Sequence, residues 1–400
     1  MAVINSNKLN VKSRKNSTLT MLSASALAIP GAVEAATAPE KETVSVRYTQ
    51  YQEAPLETGR VSSGNTGRFG IDVLQVGYST PYKEDYSIDT HVTFETLSGA
   101  SPYATIDDEN GEPTVYMSGA SIEEKRIDAS VSGTRYFKEG TLNSSFAISK
   151  ENDYQSVAIG AAGSLEIFDK HTTLLASVST SFDSLSPTDA ELFGGGRIEA
   201  KGKSKRSLSF YEGVTQVISR NQTLQVGVGY TRMKGHLSDP YRSKDQRPSS
   251  REQHTLSAQY RHHFTEYHNI SWHLDYRFYQ DEWGVIANTI GTSAWKDLSV
   301  MGLNFTIAPN LRYHWQHSAD FYTLEASPES EYYSDDFRLS AYGAISAGVD
   351  AQFHAKDFSV TFGLSNYWSS SSWGLTGRDS VEHPALLNFT TFSIGVDYHF

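Results

Sequence analysis

The segment Phe392-Ser393-Ile394-Gly395-Val396-Asp397-Tyr398-His399-Phe400 closes the sequence and decides how the rest is read. Phe392, Ile394, Val396, Tyr398 and Phe400 are apolar or aromatic, and the residues between them are small or polar. Successive side chains of a strand point to opposite faces, so this segment has one oily face and one wet face. Soluble chains seldom end this way, because termini fray and tend to be polar. A strand of a membrane β-barrel has this pattern, with lipid outside and an aqueous lumen inside. The five apolar residues are therefore expected to form the strand that the barrel-assembly machinery receives.

The same two-residue period runs upstream. Ile270, Trp272, Leu274, Tyr276 and Phe278 alternate with Asn269, Ser271, His273, Asp275 and Arg277. Leu311, Tyr313 and Trp315 alternate with Arg312, His314 and Gln316. A long apolar face runs from Phe337 to Phe353, interleaved with Arg338, Ser346, Asp350 and Gln352. Many of these runs reach ~12 residues, beyond the ~5–6 usual in globular strands and close to what a tilted membrane strand needs. Their charges keep phase with the polar face, which argues against a soluble sandwich or propeller. In lipid every backbone group must be paired, and strands achieve that only as a closed ring.

Two kinds of connection take turns. Short ones are read at PYKE 81–84, FKEG 137–140, FDKH 168–171, SRNQ 219–222, FTEY 264–267, PN 309–310 and HAKD 354–357. Longer polar ones are read around 51–67, 98–120, 183–205, 236–250, 282–295, 324–334 and 369–386; KEND 150–153 alone is short on the long side. Bacterial barrels have this asymmetry, with short periplasmic turns and longer outer loops. Counting through them gives about sixteen antiparallel strands, an even number with both chain ends on the short-turn side. Strands are placed at 296–308, 311–323 and 335–353 among others. The phase is blurred at Leu74/Val76 and Phe210/Tyr211, where a bulge is expected. The fold class is thus all-β, one closed antiparallel transmembrane barrel.

Residues 1–35 read as a cleaved secretory signal, leaving 36–400 as the barrel. Lys8, Lys12, Arg14 and Lys15 precede an apolar stretch from Leu19 to Val33, and Val33-Glu34-Ala35 puts small residues where a signal peptidase reads them. Export places the chain in the Gram-negative outer membrane, reached through the periplasm. No later stretch approaches the ~20 apolar residues of a membrane helix. The mean hydropathy of -0.43 suits a barrel, in which only alternate residues need be oily. The 400 residues include no cysteine, which excludes disulfides, Cys-zinc sites and Cys nucleophiles. A net charge of -12 argues against nucleic acid as a partner.

The alternation sends a set of ionisable side chains into the lumen: Arg261, His263, His273, Asp275, Arg277, Arg312, His314, Asp320, Arg338 and Asp350. They read either as a lining that steers a polar solute or as a ladder that stiffens the wall. Lys201, Lys203, Lys205 and Arg206, joined by Arg242, Lys244, Arg247 and Arg251 in the next long connection, make a basic contrast suited to lipopolysaccharide phosphates. Tyr78, Tyr82, Tyr136, Phe137, Phe264, Tyr267 and Tyr313 fit an interfacial girdle. His236-Leu237-Ser238 has the spacing of a base beside a hydroxyl nucleophile, but it also reads as a turn pinned by Pro240. The acid pairs Asp107/Asp108, Glu123/Glu124 and Asp335/Asp336 read as solvated loop charge. No metal or cofactor set stands above this background.

A series of phrases in fixed order carries a family resemblance. They include SGASPY (98–103), SGASIEEKR (118–126), SKENDY (149–154), LSDPYRSKDQRP (237–248), LDYRFYQDEWG (274–284) and YYSDDFRLSAYGA (332–344). Together they resemble an uncharacterised proteobacterial family, domain of unknown function 3570. The resemblance implies an outer-membrane barrel without assigned catalytic residues. It also implies a gene neighbourhood with a periplasmic lipoprotein, a thioredoxin-like protein and a flavin transferase. The expected function is a channel or transport barrel for small polar or charged solutes and not an enzyme. The alternatives are a scaffold for a periplasmic redox or flavin-carrying assembly and, more remotely, an outer-membrane hydrolase. No cofactor is expected.

Overall fold

Alternating strands become the two surfaces of one closed sheet. The computed structural model describes residues 37–117, 122–188, 190–265, 269–324, 330–375 and 381–400. Residues 1–35, where the sequence predicts a secretory signal, and Tyr267 lie outside the described residues. The strands are β1 (Thr43–Glu53), β2 (Gly70–Tyr82), β3 (Tyr86–Gly99), β4 (Ile122–Phe137), β5 (Gly140–Lys150) and β6 (Tyr154–Ile167). They continue as β7 (Thr172–Leu185), β8 (Ser204–Ser219), β9 (Gln222–Gly235), β10 (Ser250–Phe264) and β11 (Ile270–Asp281). The last five are β12 (Ile286–Val300), β13 (Leu303–Gln316), β14 (Tyr342–His354), β15 (Phe358–Ser370) and β16 (Phe389–His399). Each strand pairs antiparallel with its sequence neighbours, and β1 pairs with β16 to close the ring.

That closure sets the register of the oily face. Val46 lies opposite Val396 on one side and Val76 on the other, and Tyr48 lies opposite Ile394 and Leu74. Apolar residues of neighbouring strands therefore align into a continuous outward belt. Val131, Phe146, Ile159, Val228, Phe362 and Phe392 are each 40% or more exposed, as expected where hydrocarbon and not a core receives them.

Three boundaries differ from the sequence reading. Pro309-Asn310 is not a turn but lies within β13, with Pro309 opposite Val349. The turn is Met301-Gly302, where both residues have positive φ (52° and 78°), the geometry of a two-residue hairpin whose twist matches its strands. Residues 286–295, read as loop, belong to β12, and the connection before it is only Glu282-Trp283-Gly284-Val285. Asp281 closes that connection by accepting the Trp283 and Val285 amides, both at 3.0 Å. Finally, β14 starts at Tyr342; residues 337–339 form a short 3-10 turn instead. Neither suspected bulge occurs: β2 pairs without a register shift, and the irregularity in β8 falls between Val217 and Ser219.

The long connections do not splay outward. Residues 61–63, 102–107 and 113–117 form a three-stranded sheet, and 245–246 pairs with 333–334. Two small apolar cores hold these pieces together. One gathers Val115, Met117, Phe337 and Ala385, and the other Trp283, Val285, Ala319 and Leu339. The connections thus make a packed cap across one end of the barrel.

Candidate functional site

Two features could carry chemistry: the polar wall of the lumen and the charged centre of the cap. On the wall, Arg261, His263, His273, Asp275, Arg277, Arg312 and His314 all occupy the face opposite the apolar belt. Asp350 shares it on β14, where its carboxylate accepts from Asn310 at 3.3 Å. Arg261 pairs with Asp275 at 2.7 Å, and His263 bonds Ser271 at 2.9 Å. His314 bonds Thr289 at 2.9 Å. Two residues expected on the wall are elsewhere. Asp320 sits in the cap, its amide on the Trp283 carbonyl at 2.8 Å and its carboxylate beside Gly284. Arg338 sits in the 337–339 turn, because β14 begins only at Tyr342.

Arg338 still meets the wall from above. A cavity of about 220 Å³ lies where Arg338 and Arg251 of the cap end face Arg277, Arg312 and His314. Across the lumen the sign reverses. Arg126 faces Asp128 at 2.8 Å and Glu95 and Glu151 at 3.6 Å. Burial, opposed by Arg126 and reinforced by neighbouring acids, pushes the Glu151 carboxyl up to about 7. Glu124, Glu151 and Asp153 bring carboxylate oxygens within 4.8 Å of one another and could in principle meet a cation. Arg126 and the Tyr241 hydroxyl already engage Glu151 and Asp153, so these acids belong to an internal ion network.

The cap is built around Asp335 and Asp336, which are 2% and 1% exposed. The sequence alone reads them as solvated loop charge; the structure buries both among guanidiniums. Arg242 reaches Asp335 at 2.7 Å, Arg247 reaches Asp336 at 2.8 Å, and Arg338 reaches Asp336 at 2.6 Å. Burial alone would raise the Asp336 carboxyl, but Arg338, Arg242 and Arg247 together hold it well below its ordinary value. Asp335 also accepts the Thr105 amide at 2.6 Å, and its carbonyl accepts from His383 at 2.8 Å. Ser243 donates to the Tyr103 carbonyl at 3.0 Å, and Arg68 binds Glu53 and the Ala385 carbonyl. Connections from opposite sides of the wall therefore meet over the mouth. The sequence could not show this, since the Arg242 and Asp335 partners are 93 residues apart.

The basic loop residues divide. Lys201 pairs with Glu191, and Lys205 turns inward to Asp183 at 3.8 Å and the Tyr154 ring at 5.0 Å. Arg242, Arg247 and Arg251 are taken up by Asp335, Asp245 and Asp281. Lys203 is exposed, and Arg206 lies opposite Phe182 and Lys234 on the outward face at the rim. Of the girdle residues, Tyr78, Tyr82 and Phe137 are outward and exposed, whereas Tyr136 turns inward to Ser87. Ser238 accepts the Arg247 amide at 3.0 Å, and among the described residues no hydrogen bond joins it to His236.

The profile of one protein family, described as "Protein of unknown function (DUF3570)", matches residues 18–378. No curated protein matches the sequence. Among solved structures, CdiB from Acinetobacter baumannii is similar at 10% identity and a TM-score of 0.50, over 90% of this chain and 60% of its own. A bacterial polysaccharide outer membrane secretin aligns over 89% of this chain and 98% of its own at 10% identity and a TM-score of 0.48. Pseudomonas aeruginosa OccD3 (OpdP) aligns over 93% and 95% at 10% identity and a TM-score of 0.44. At such identities the likeness to CdiB is one of barrel fold alone.

Proposed function

The chain belongs to the DUF3570 family, and from that premise we propose that it is an outer-membrane channel or transport barrel for small polar or charged solutes. The observation that carries this reading is the lumen wall. Sixteen strands enclose a bore wide enough for water. Its inward face bears charges of opposite sign on opposite sides, around Arg277 and Arg312 and around Glu95, Asp128 and Glu151. Such a lining selects solutes by charge and hydrogen bonding. The apolar belt supports residence in a bilayer, and the turn-and-loop asymmetry supports the outer membrane with the cap facing outward. Arg206 and Lys234 at the rim suit lipid phosphates there.

The cap favours a second reading. Connections knitted over the mouth suit a barrel that serves as a scaffold for a periplasmic lipoprotein or flavoprotein and passes little solute. Planar-bilayer recording separates the two. The channel reading expects stepwise conductance, enlarged when Arg242→Ala loosens the cap. Silence in both the native barrel and that variant would overturn it, and co-purification with a periplasmic partner would then favour the scaffold.

A further inference from the structure

The geometry points to a binding site for a small multivalent anion, of phosphate or dicarboxylate chemistry, between Arg277 and Arg312 in the lumen. The inference deepens the channel reading and rests on it for the route by which the anion arrives.

Charge is left over on this stretch of the wall. Asp275, the acid next to Arg277 on the same face, is bound by Arg261 at 2.7 Å. Asp281 is bound by Arg251 at 2.6 Å. Asp336 and Asp239 are bound by Arg338 at 2.6 and 2.8 Å. Among the described residues no carboxylate pairs with Arg277 or Arg312. The Tyr279 ring, 5.9 Å away, is the described companion of Arg277. Two guanidiniums thus border one cavity without a counter-charge, in a wall where the other arginines named are matched.

There is also room between them. Strand β12 runs between β11 and β13 and presents Thr289 opposite Arg277 and Gly291 opposite Arg312. A Cβ at Gly291 would meet nothing nearer than 3.9 Å, so the wall dips beside Arg312. On the far side of Arg312, β14 presents Ser346 and Ala344, again small. The cavity of about 220 Å³ exceeds the ~30 Å³ of one water several-fold and suits a guest of a few heavy atoms. A planar guanidinium offers paired N–H donors to a carboxylate or phosphate. Two such forks favour an anion with two charged oxygens over chloride.

The test uses the full-length barrel in detergent micelles at low salt, with inorganic phosphate and succinate as calorimetric probes. Saturable one-to-one binding is expected, weakened about tenfold or more by Arg277→Gln and by Arg312→Gln and unchanged by Arg220→Gln, exposed in the 219–222 turn. Each variant is first shown to be folded by its resistance to unfolding in unheated SDS. Absence of saturable binding by the folded native barrel would overturn the proposal. So would equal affinity in the native barrel and both lumen variants. Binding without conductance would keep this site and remove the channel reading. Conductance with cation preference and no binding would keep the channel and remove the site.

Discussion

Arg242 and Asp335 meet at 2.7 Å over the barrel mouth although four strands of wall separate the connections that carry them. The pair is buried on both sides, at 3% and 2% side-chain exposure. A buried ion pair adds little to stability relative to a well-packed apolar pair, but removing one partner strands the other charge. Its structural consequence is to fix where the two connections cross.

Arg242→Ala should therefore loosen the cap and leave the barrel intact. Asp335 would stay buried without its nearest cation, at a local cost of about 3–5 kcal/mol. Limited proteolysis should cut within 236–249 and 330–341 far faster than in the native protein, while unheated samples still migrate as folded barrel in SDS. Adding Asp335→Asn should recover part of the protection.

Acid should weaken the same cap. His383 is 2% exposed; its Nδ1 accepts the Ala385 amide at 3.0 Å and its Nε2 donates to the Asp335 carbonyl at 2.8 Å. Burial above all, with Arg242 and Arg68 nearby, pushes its pKa down to about 4, against the pull of Asp335 and Asp336. A histidine lowered on folding takes up its proton first in the opened state. Cap stability is then full above the ordinary value of 6.5 and falls as the pH drops from there towards 4. Asp336, held low by its arginines, adds a further loss below its ordinary value of 3.8. Loop proteolysis at pH 7 and pH 5 checks this, and His383→Gln should flatten the difference.

Glu212 is exposed on the outward face between Phe210 and Val214, opposite Ala176 and Val228. A carboxylate among lipid-facing residues is costly in a depth-dependent way. Glu212→Leu should raise barrel stability by about 1–2 kcal/mol. Urea unfolding in lipid vesicles measures it, with the neighbouring Val228→Arg expected to shift in the opposite direction.

The parts of the fold legible in the sequence are those fixed by neighbouring residues. Period-two alternation in β11 and β16 needs only local side chains, so the inward face of His273, Asp275 and Arg277 could be read directly. Turn placement depends on backbone angles as well as residue type. Pro309-Asn310 has turn chemistry but lies inside β13, with Pro309 on the lipid face and Asn310 on the lumen face; the missing Pro309 amide falls beside a break in the ladder between Ser293 and Lys296. Met301-Gly302 makes the turn with fewer outward signs. The cap was illegible for another reason. Asp335 and Asp336 resemble any solvated acid pair until the closed ring brings Arg242 and Arg247 from the preceding long loop over them. The cavity likewise needs β11, β12 and β13 in register before Arg277 and Arg312 face one space.

The central claim is that oily side chains face a bilayer while their neighbours face an aqueous bore. The absence of cysteine makes this directly measurable. Single-cysteine variants stepped from His273 to Phe278 along β11, in bilayer nanodiscs open at both ends, should react alternately with a water-soluble maleimide. Positions 273, 275 and 277 should label, and 274, 276 and 278 should be protected and quenched by lipid-borne probes instead. Uniform labelling along the strand, or reversal of the two sets, would contradict the account.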